Sequence, residues 1–212
     1  MCYFEYGEKE INYLKSKDKK LAEVIDRIGH VNRVCMDNLF EAVVNSIIGQ
    51  QISTKAHMAI WKKIKDELGT LDAQKILALG REKLQSYGTT WRKVDYIMAF
   101  AEKVNSGEFD LAAINTMTDE EAIAALSSLK GIGVWTAEMI LLFCLQRPDI
   151  FSFGDLAILR GIRMVYHHKD IPRERFERYR KRFSPYCSVA SLYFWAVAGN
   201  AIPEMKDYAK RS

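Results

Sequence analysis

Residues 126–158 read LSSLKGIGVWTAEMILLFCLQRPDIFSFGDLAI, and the fold class turns on how this stretch is parsed. It divides into the end of a short helix, a tight turn on Gly131 and Gly133, a second helix, a loop, and an aspartate opening a third helix. Thr118 followed three residues later by Glu121 is a capping box, which starts the first helix near residue 119. Two glycines one residue apart supply positive φ or close backbone approach, either of which a tight inter-helix turn needs. Residues 134–145 are apolar on nearly every side, the pattern of a helix buried all round. Pro148 and Gly154 punctuate the loop, and Asp155 stands at the mouth of the next helix.

Outward from this stretch the chain keeps a helical period, with no sustained alternation of period two. Residues 8–27 give one or two helices. Asp37 is placed to cap a helix running to Ile48, with Gly49 as its C′ residue. Ser53 opens the next, through about Leu68; Asp72 opens a short one; Thr90 opens a longer one ending near Asn105. Residues 173–183 and 186–198 complete an all-α set of about ten helices. There is no repeat, low-complexity tract or long linker.

A chain of 212 residues can bury a proper core, and 49% hydrophobic with 27% charged residues is ordinary globular composition. The formal charge of +4 suits a polyanionic partner without requiring one. The opening MCYFEYGEKE lacks the apolar centre of a secretory signal. The longest apolar run, 139–145, is far too short to span a bilayer. Cys2, Cys35, Cys144 and Cys187 have no paired spacing and read as reduced thiols, placing the protein in the cytoplasm. His30, His57, His167 and His168 lack ligand spacing, so neither a catalytic metal nor a cofactor is expected. The segment 173–182, RERFERYRKR, carries six basic and two acidic residues; Phe176, Tyr179 and Phe183 share its inner face, which leaves the arginines on the solvated side.

Three stretches together carry a resemblance: the hairpin LKGIGVWTA with the following FGD, IIGQQISTKA at 47–56, and YCSVASLYFW at 186–195. Together they cover most of the chain from residue 40 to about 200, in the family's order, and resemble the helix-hairpin-helix (HhH-GPD) superfamily of DNA glycosylases, most similar to the 3-methyladenine DNA glycosylase II type. The resemblance implies two helical subdomains with an active-site cleft between them: 36–150, including the helix-hairpin-helix at 119–145, and 1–35 plus 151–212. The cysteine spacing excludes the four-cysteine iron–sulfur loop of some relatives. The resemblance also implies a nucleoid-associated monomer whose partner is double-stranded DNA containing damaged bases, with no membrane.

Judged locally, Asp155 is an N-cap. The family's catalytic aspartate falls on the same residue, and a cap holds a carboxylate rigidly where a sugar turning cationic could use it. Trp135 and Trp195, read alone, are core aromatics; the resemblance makes them two walls of a pocket for an extruded base. Met139 stands where better-known members have a tyrosine, one turn beyond Trp135. In relatives that also nick the strand, a lysine occupies the place of Trp135 and forms a Schiff base; tryptophan cannot. Gln50 and Gln51 read as a polar loop between Gly49 and Ser53; the resemblance puts one of them into the duplex, with Gln51 as the plug and Gln50 supporting it. Lys130, Gly131, Gly133, Val134 and Thr136 build the hairpin, whose backbone N–H groups can face a phosphate, and the family often binds a monovalent cation on the hairpin carbonyls.

The expected function is a monofunctional glycosylase of base excision repair, hydrolysing alkylated purines such as 3-methyladenine and 7-methylguanine from duplex DNA. The alternatives are a helix-hairpin-helix glycosylase for neutral lesions such as uracil and hypoxanthine, a helix-hairpin-helix DNA-binding protein without chemistry, and a purely structural helical protein.

Overall fold

The computed structural model describes residues 2–209; Met1 and residues 210–212, assigned above to the second subdomain, lie outside them. The described residues form twelve α-helices, a 3-10 turn at Ala113–Thr116, and one two-stranded ribbon. The fold is all-α. The helix number exceeds ten partly because short pieces such as Arg81–Ser86 carry too little periodicity to be seen in sequence.

The chain divides into two compact units. One runs from Met36 to Leu145; the other joins the segment ending at Cys35 to the segment starting at Gln146. The second boundary falls after 145 and not at 150. Gln146 ties this stretch to the N-terminal segment, accepting the Glu5 N–H through Oε1 at 2.7 Å and donating to the Cys2 sulfur at 3.6 Å. Ile150 N–H donates to Ser188 Oγ at 2.9 Å.

In the discontinuous unit, β1 (Cys2–Tyr3) pairs antiparallel with β2 (Val34–Cys35), and α1 (Glu8–Lys17) and α2 (Lys19–Ile28) lie between them in sequence. Asp18 caps α2 by accepting the Leu21 N–H at 2.9 Å, and is almost fully buried. The remaining helices of the unit are α10 (Leu156–Tyr166), α11 (Arg173–Phe183) and α12 (Cys187–Ala198). Leu14, Leu21, Val24, Ile158, Ile162, Phe176, Phe183 and Phe194 fill their shared core. The arginines of α11 are not all on a solvated face: Arg182 pairs with buried Asp18 at 2.5 Å, and Arg180 donates to the Asp149 carbonyl at 3.2 Å. Burying a carboxylate is costly unless it is paired or hydrogen-bonded, and Asp18 has both a cation and a backbone donor.

The continuous unit holds α3 (Leu39–Gly49), α4 (Thr54–Leu68), α5 (Ala73–Leu79), α6 (Arg81–Ser86), α7 (Trp91–Asn105), α8 (Asp119–Ser127) and α9 (Val134–Phe143). Most caps follow the local chemistry: Ser53, Asp72, Thr90 and Thr118 each accept an N–H from the first turn of their helix. At α3 the cap is Asn38 and not Asp37, its side chain accepting the Glu41 N–H at 3.0 Å. Gly49 is not a left-handed C′ residue; that conformation falls on Gln51, with φ of 54°. The helix after the hairpin is buried along Ala137, Ile140, Leu141 and Leu142, but its first turn is open, with Val134 and Trp135 58% and 48% exposed.

Two histidines give the fold a pH dependence. His57 is held below its ordinary value of 6.5 by burial, against the opposing effect of its hydrogen bond to Asn45. His168 is lowered by burial and then by Arg175 and Lys20. The unfolded chain therefore takes up protons near pH 6.5, whereas the folded chain takes them up only at lower pH, so stability falls as pH drops below that value. Denaturant melts at about pH 7.5 and about pH 5.5 should show a lower midpoint at the acid end, and a double His57→Gln, His168→Gln variant should flatten that slope. An unchanged slope in the variant would assign the acid sensitivity to the carboxylates.

Candidate active site

Asp155 opens α10 as its N-cap. Its Oδ1 accepts the N–H groups of Ala157 and Ile158, each at 2.9 Å. The same oxygen accepts the indole N–H of Trp195, from the second half of α12, at 3.1 Å. The residue is 6% exposed, so a carboxylate is fixed in rotamer and position by donors from two helices. Trp195 is half-buried, and this hydrogen bond gives it a contact that the sequence reading did not contain. Tyr193 is fully buried, its hydroxyl donating to the Gly29 carbonyl at 3.0 Å, which makes it structural.

The crossing of α10 and α12 sets the distance between carboxylate and indole. A Cβ on Gly161 would lie 2.3 Å from the Phe194 carbonyl oxygen, so the two backbones touch where only glycine fits.

In the continuous unit, the loop after α3 and the hairpin before α9 are joined. Gln50 donates through Nε2 to the Gly131 carbonyl at 2.6 Å. Lys93, only 6% exposed, donates to the carbonyls of Ile48 and Gln50 at 2.8 and 2.6 Å, closing the C-terminus of α3 with a cation. Burial, and secondarily the charge of Arg92, lowers the Lys93 ammonium from its ordinary value. Gln50 is thereby anchored at side chain and backbone, while Gln51 is exposed in the left-handed region. Lys93 is a residue that sequence reading missed, because it sits among the charged residues of α7 and its partners lie more than forty positions away.

The hairpin needs only one special glycine. Gly131 has φ of 86°, and a Cβ there would lie 2.4 Å from the Tyr96 ring, so both backbone conformation and space require glycine. Gly133 has φ of −93° and nothing within 4 Å of its missing Cβ. It is the N-cap of α9, whose first-turn N–H groups have no side-chain cap. Lys130, Gly133, Val134 and Ser53 are exposed, and Thr136 is half-buried. Met139 lines a cavity of about 150 Å³ between α3 and α9.

Comparison with known proteins adds to this geometry. The family described as HhH-GPD superfamily base excision DNA repair protein matches residues 44–185. The chain is 28% identical over 176 residues to DNA-3-methyladenine glycosylase 1 of Schizosaccharomyces pombe, covering 81% of this chain and 75% of that protein. It is 24% identical to DNA-3-methyladenine glycosylase 2 of Escherichia coli, covering 78% of this chain and 59% of that one. Among solved structures, a DNA-3-methyladenine glycosidase from Bacillus halodurans superposes with a TM-score of 0.86 at 32% identity, covering 98% of this chain and 97% of that one. The S. pombe enzyme Mag1 in complex with abasic DNA superposes with a TM-score of 0.77 at 26% identity, covering 90% and 97%.

Proposed function

Because the chain belongs to the HhH-GPD superfamily of base excision DNA repair proteins, we propose that it is a monofunctional DNA glycosylase that hydrolyses alkylated purines from duplex DNA and leaves an abasic site. The observation that carries this reading is the Asp155 carboxylate, nearly buried yet held by two backbone N–H groups and an indole N–H. Breaking the bond between C1′ and the base sends the bonding electrons out with the base and leaves an oxocarbenium-like sugar. A preorganised anion stabilises charge that exists only in that transition state. Water then adds to C1′ and gives up a proton. An alkylated purine is already cationic and departs neutral, so no general acid is needed to assist it.

Trp135 fits the substrate side of this proposal. Its half-exposed indole at the start of α9 offers a π-face to an extruded cationic base. Trp195 orients Asp155 through its indole N–H, and within the continuous unit Met139 makes a softer wall beside Trp135 than an aromatic would. Gln51 fills the gap left in the duplex, because the neighbouring Gln50 is already committed to Gly131. The uncapped N-terminus of α9, with Lys130, Gly131, Gly133, Val134 and Thr136 around it, receives a backbone phosphate, and Ser53 flanks the plug. Any monovalent cation on the hairpin carbonyls shares them with Gln50. No helix among the described residues is long and apolar enough to cross a membrane. The working compartment we assign is the cytoplasm, at the nucleoid, with the protein acting as a monomer.

The test is direct. The purified chain, given methylated duplex DNA, should release free methylpurines, and hot alkali should then break the strand at abasic sites. Borohydride added during the reaction should trap no covalent protein–DNA adduct, since Trp135 offers no amine. A trapped adduct would overturn the monofunctional assignment; duplex binding without base release would reduce the protein to a binding module.

A further inference from the structure

The cavity between α3 and α9 lies wholly within the continuous unit and is lined by Met36, Asn45, Ser46, Met139 and Phe143 among others. Its volume, about 150 Å³, is of the order that accepts a single aromatic ring. Its walls are mostly apolar, which makes Asn45 conspicuous. Asn45 Oδ1 lies 2.7 Å from His57 Nε2, and Asn45 Nδ2 lies 3.6 Å from the sulfur of Met36, which also lines the cavity. The imidazole is seated against Gly49, where a Cβ would come within 3.0 Å of its Cε1. Gly49 therefore serves to admit the ring that orients the amide. With His57 donating to Oδ1, the amide NH2 is turned to the cavity side, where among the described residues it meets a thioether, a weak acceptor. An amide donor held that way gains by exchanging sulfur for oxygen.

We infer that Asn45 is a specificity-determining residue of the base pocket, donating its side-chain N–H to the 6-oxo group of an extruded purine and so favouring guanine- and hypoxanthine-type lesions over adenine-type ones. This rests on the glycosylase reading above. A purine enters tethered to its sugar through N9, so the six-membered ring, carrying the 6-substituent, goes in foremost. At that position guanine and hypoxanthine present an acceptor, whereas adenine presents an amino donor. A donor facing a carbonyl makes a hydrogen bond; a donor facing an amine leaves both unsatisfied. Met139, one turn from Trp135, brings the same cavity to the helix that carries the proposed stacking residue.

The experiment measures release of 7-methylguanine, hypoxanthine and 3-methyladenine from duplexes by the full chain and by Asn45→Leu and Asn45→Asp variants. Asn45→Leu should lower the ratio of 6-oxopurine to 3-methyladenine release by about fivefold. Asn45→Asp, which presents an acceptor in place of the donor, should move the ratio further toward 3-methyladenine. Ratios equal to wild type in both variants, with release still measurable, would overturn the inference and leave the glycosylase reading standing. Should the wild-type chain release no base at all, that reading fails; free hypoxanthine and adenine, titrated by tryptophan fluorescence, then judge Asn45. Equal affinities, or a difference that survives Asn45→Leu, would overturn it.

Discussion

Asp155→Asn should abolish base release, by about a hundredfold to a thousandfold or more in single-turnover rate, while duplex affinity stays near wild type. Asparagine caps a helix as well as aspartate does, so α10 keeps its start. The amide oxygen can still accept from Ala157, Ile158 and the Trp195 indole, so three hydrogen bonds that fix the side chain survive the change. What disappears is the negative charge, which does nothing for phosphate binding and everything for a cationic sugar. The salt dependence of duplex binding should accordingly be unaltered, since no phosphate contact is lost. Base release at wild-type rate by a folded Asp155→Asn protein would remove the carboxylate from the mechanism. Loss of duplex binding together with activity would instead make Asp155 a structural cap whose charge holds the unit together.

Capping chemistry made much of this fold legible, because a cap is decided within four residues. Thr118 with Glu121, Ser53, Asp72, Thr90 and Asp155 all open helices where their neighbours say they should. Two adjacent residues with equal capping ability defeat such logic, and Asn38 displaced Asp37 for that reason. Family likeness pointed to Asp155 and Trp195 separately, but their hydrogen bond spans forty positions and depends on a helix crossing that no local pattern encodes. Lys93 and Asn45 were illegible in the same way: each is one polar residue on a helix, and its meaning comes from carbonyls or an imidazole supplied by another element. The pair Asn45-Ser46 inside the mostly apolar LFEAVVNSIIG was the available signal, since polar groups on a buried helix demand partners. The apolar run after the hairpin misled in the opposite direction. Composition said buried all round, yet Val134 and Trp135 stand open at its first turn, because burial of a helix is set by what packs against each turn and not by its average composition.

Gly161→Ala should be strongly destabilising for a change of one methyl. In an exposed helix the change would stabilise by about 1 kcal/mol, because alanine is the better helix former. Here the added Cβ would meet the carbonyl oxygen of Phe194 at 2.3 Å and its carbonyl carbon and Cα at 2.8 Å. These are backbone atoms of α12, so no rotamer change relieves the overlap and the helices must separate. Overpacking of this kind costs about 1–3 kcal/mol and occasionally more, and the backbone clash places this site at the upper end, enough to exceed the propensity gain. For a chain of this length the net loss of about 2 kcal/mol should lower Tm by about 4–8 °C. The consequence for chemistry is separable from that for stability. Helix α10 carries Asp155 at its entrance and α12 carries Trp195, so parting them stretches the 3.1 Å hydrogen bond that fixes the carboxylate. Base release per folded molecule should therefore fall at temperatures well below the melt, by about tenfold if the loss is one charge-assisted hydrogen bond. A melt coincident with wild type would show that the two helices do not cross as closely as described. A lowered melt with undiminished release per folded molecule would show that the Trp195 indole is dispensable for holding Asp155 in place.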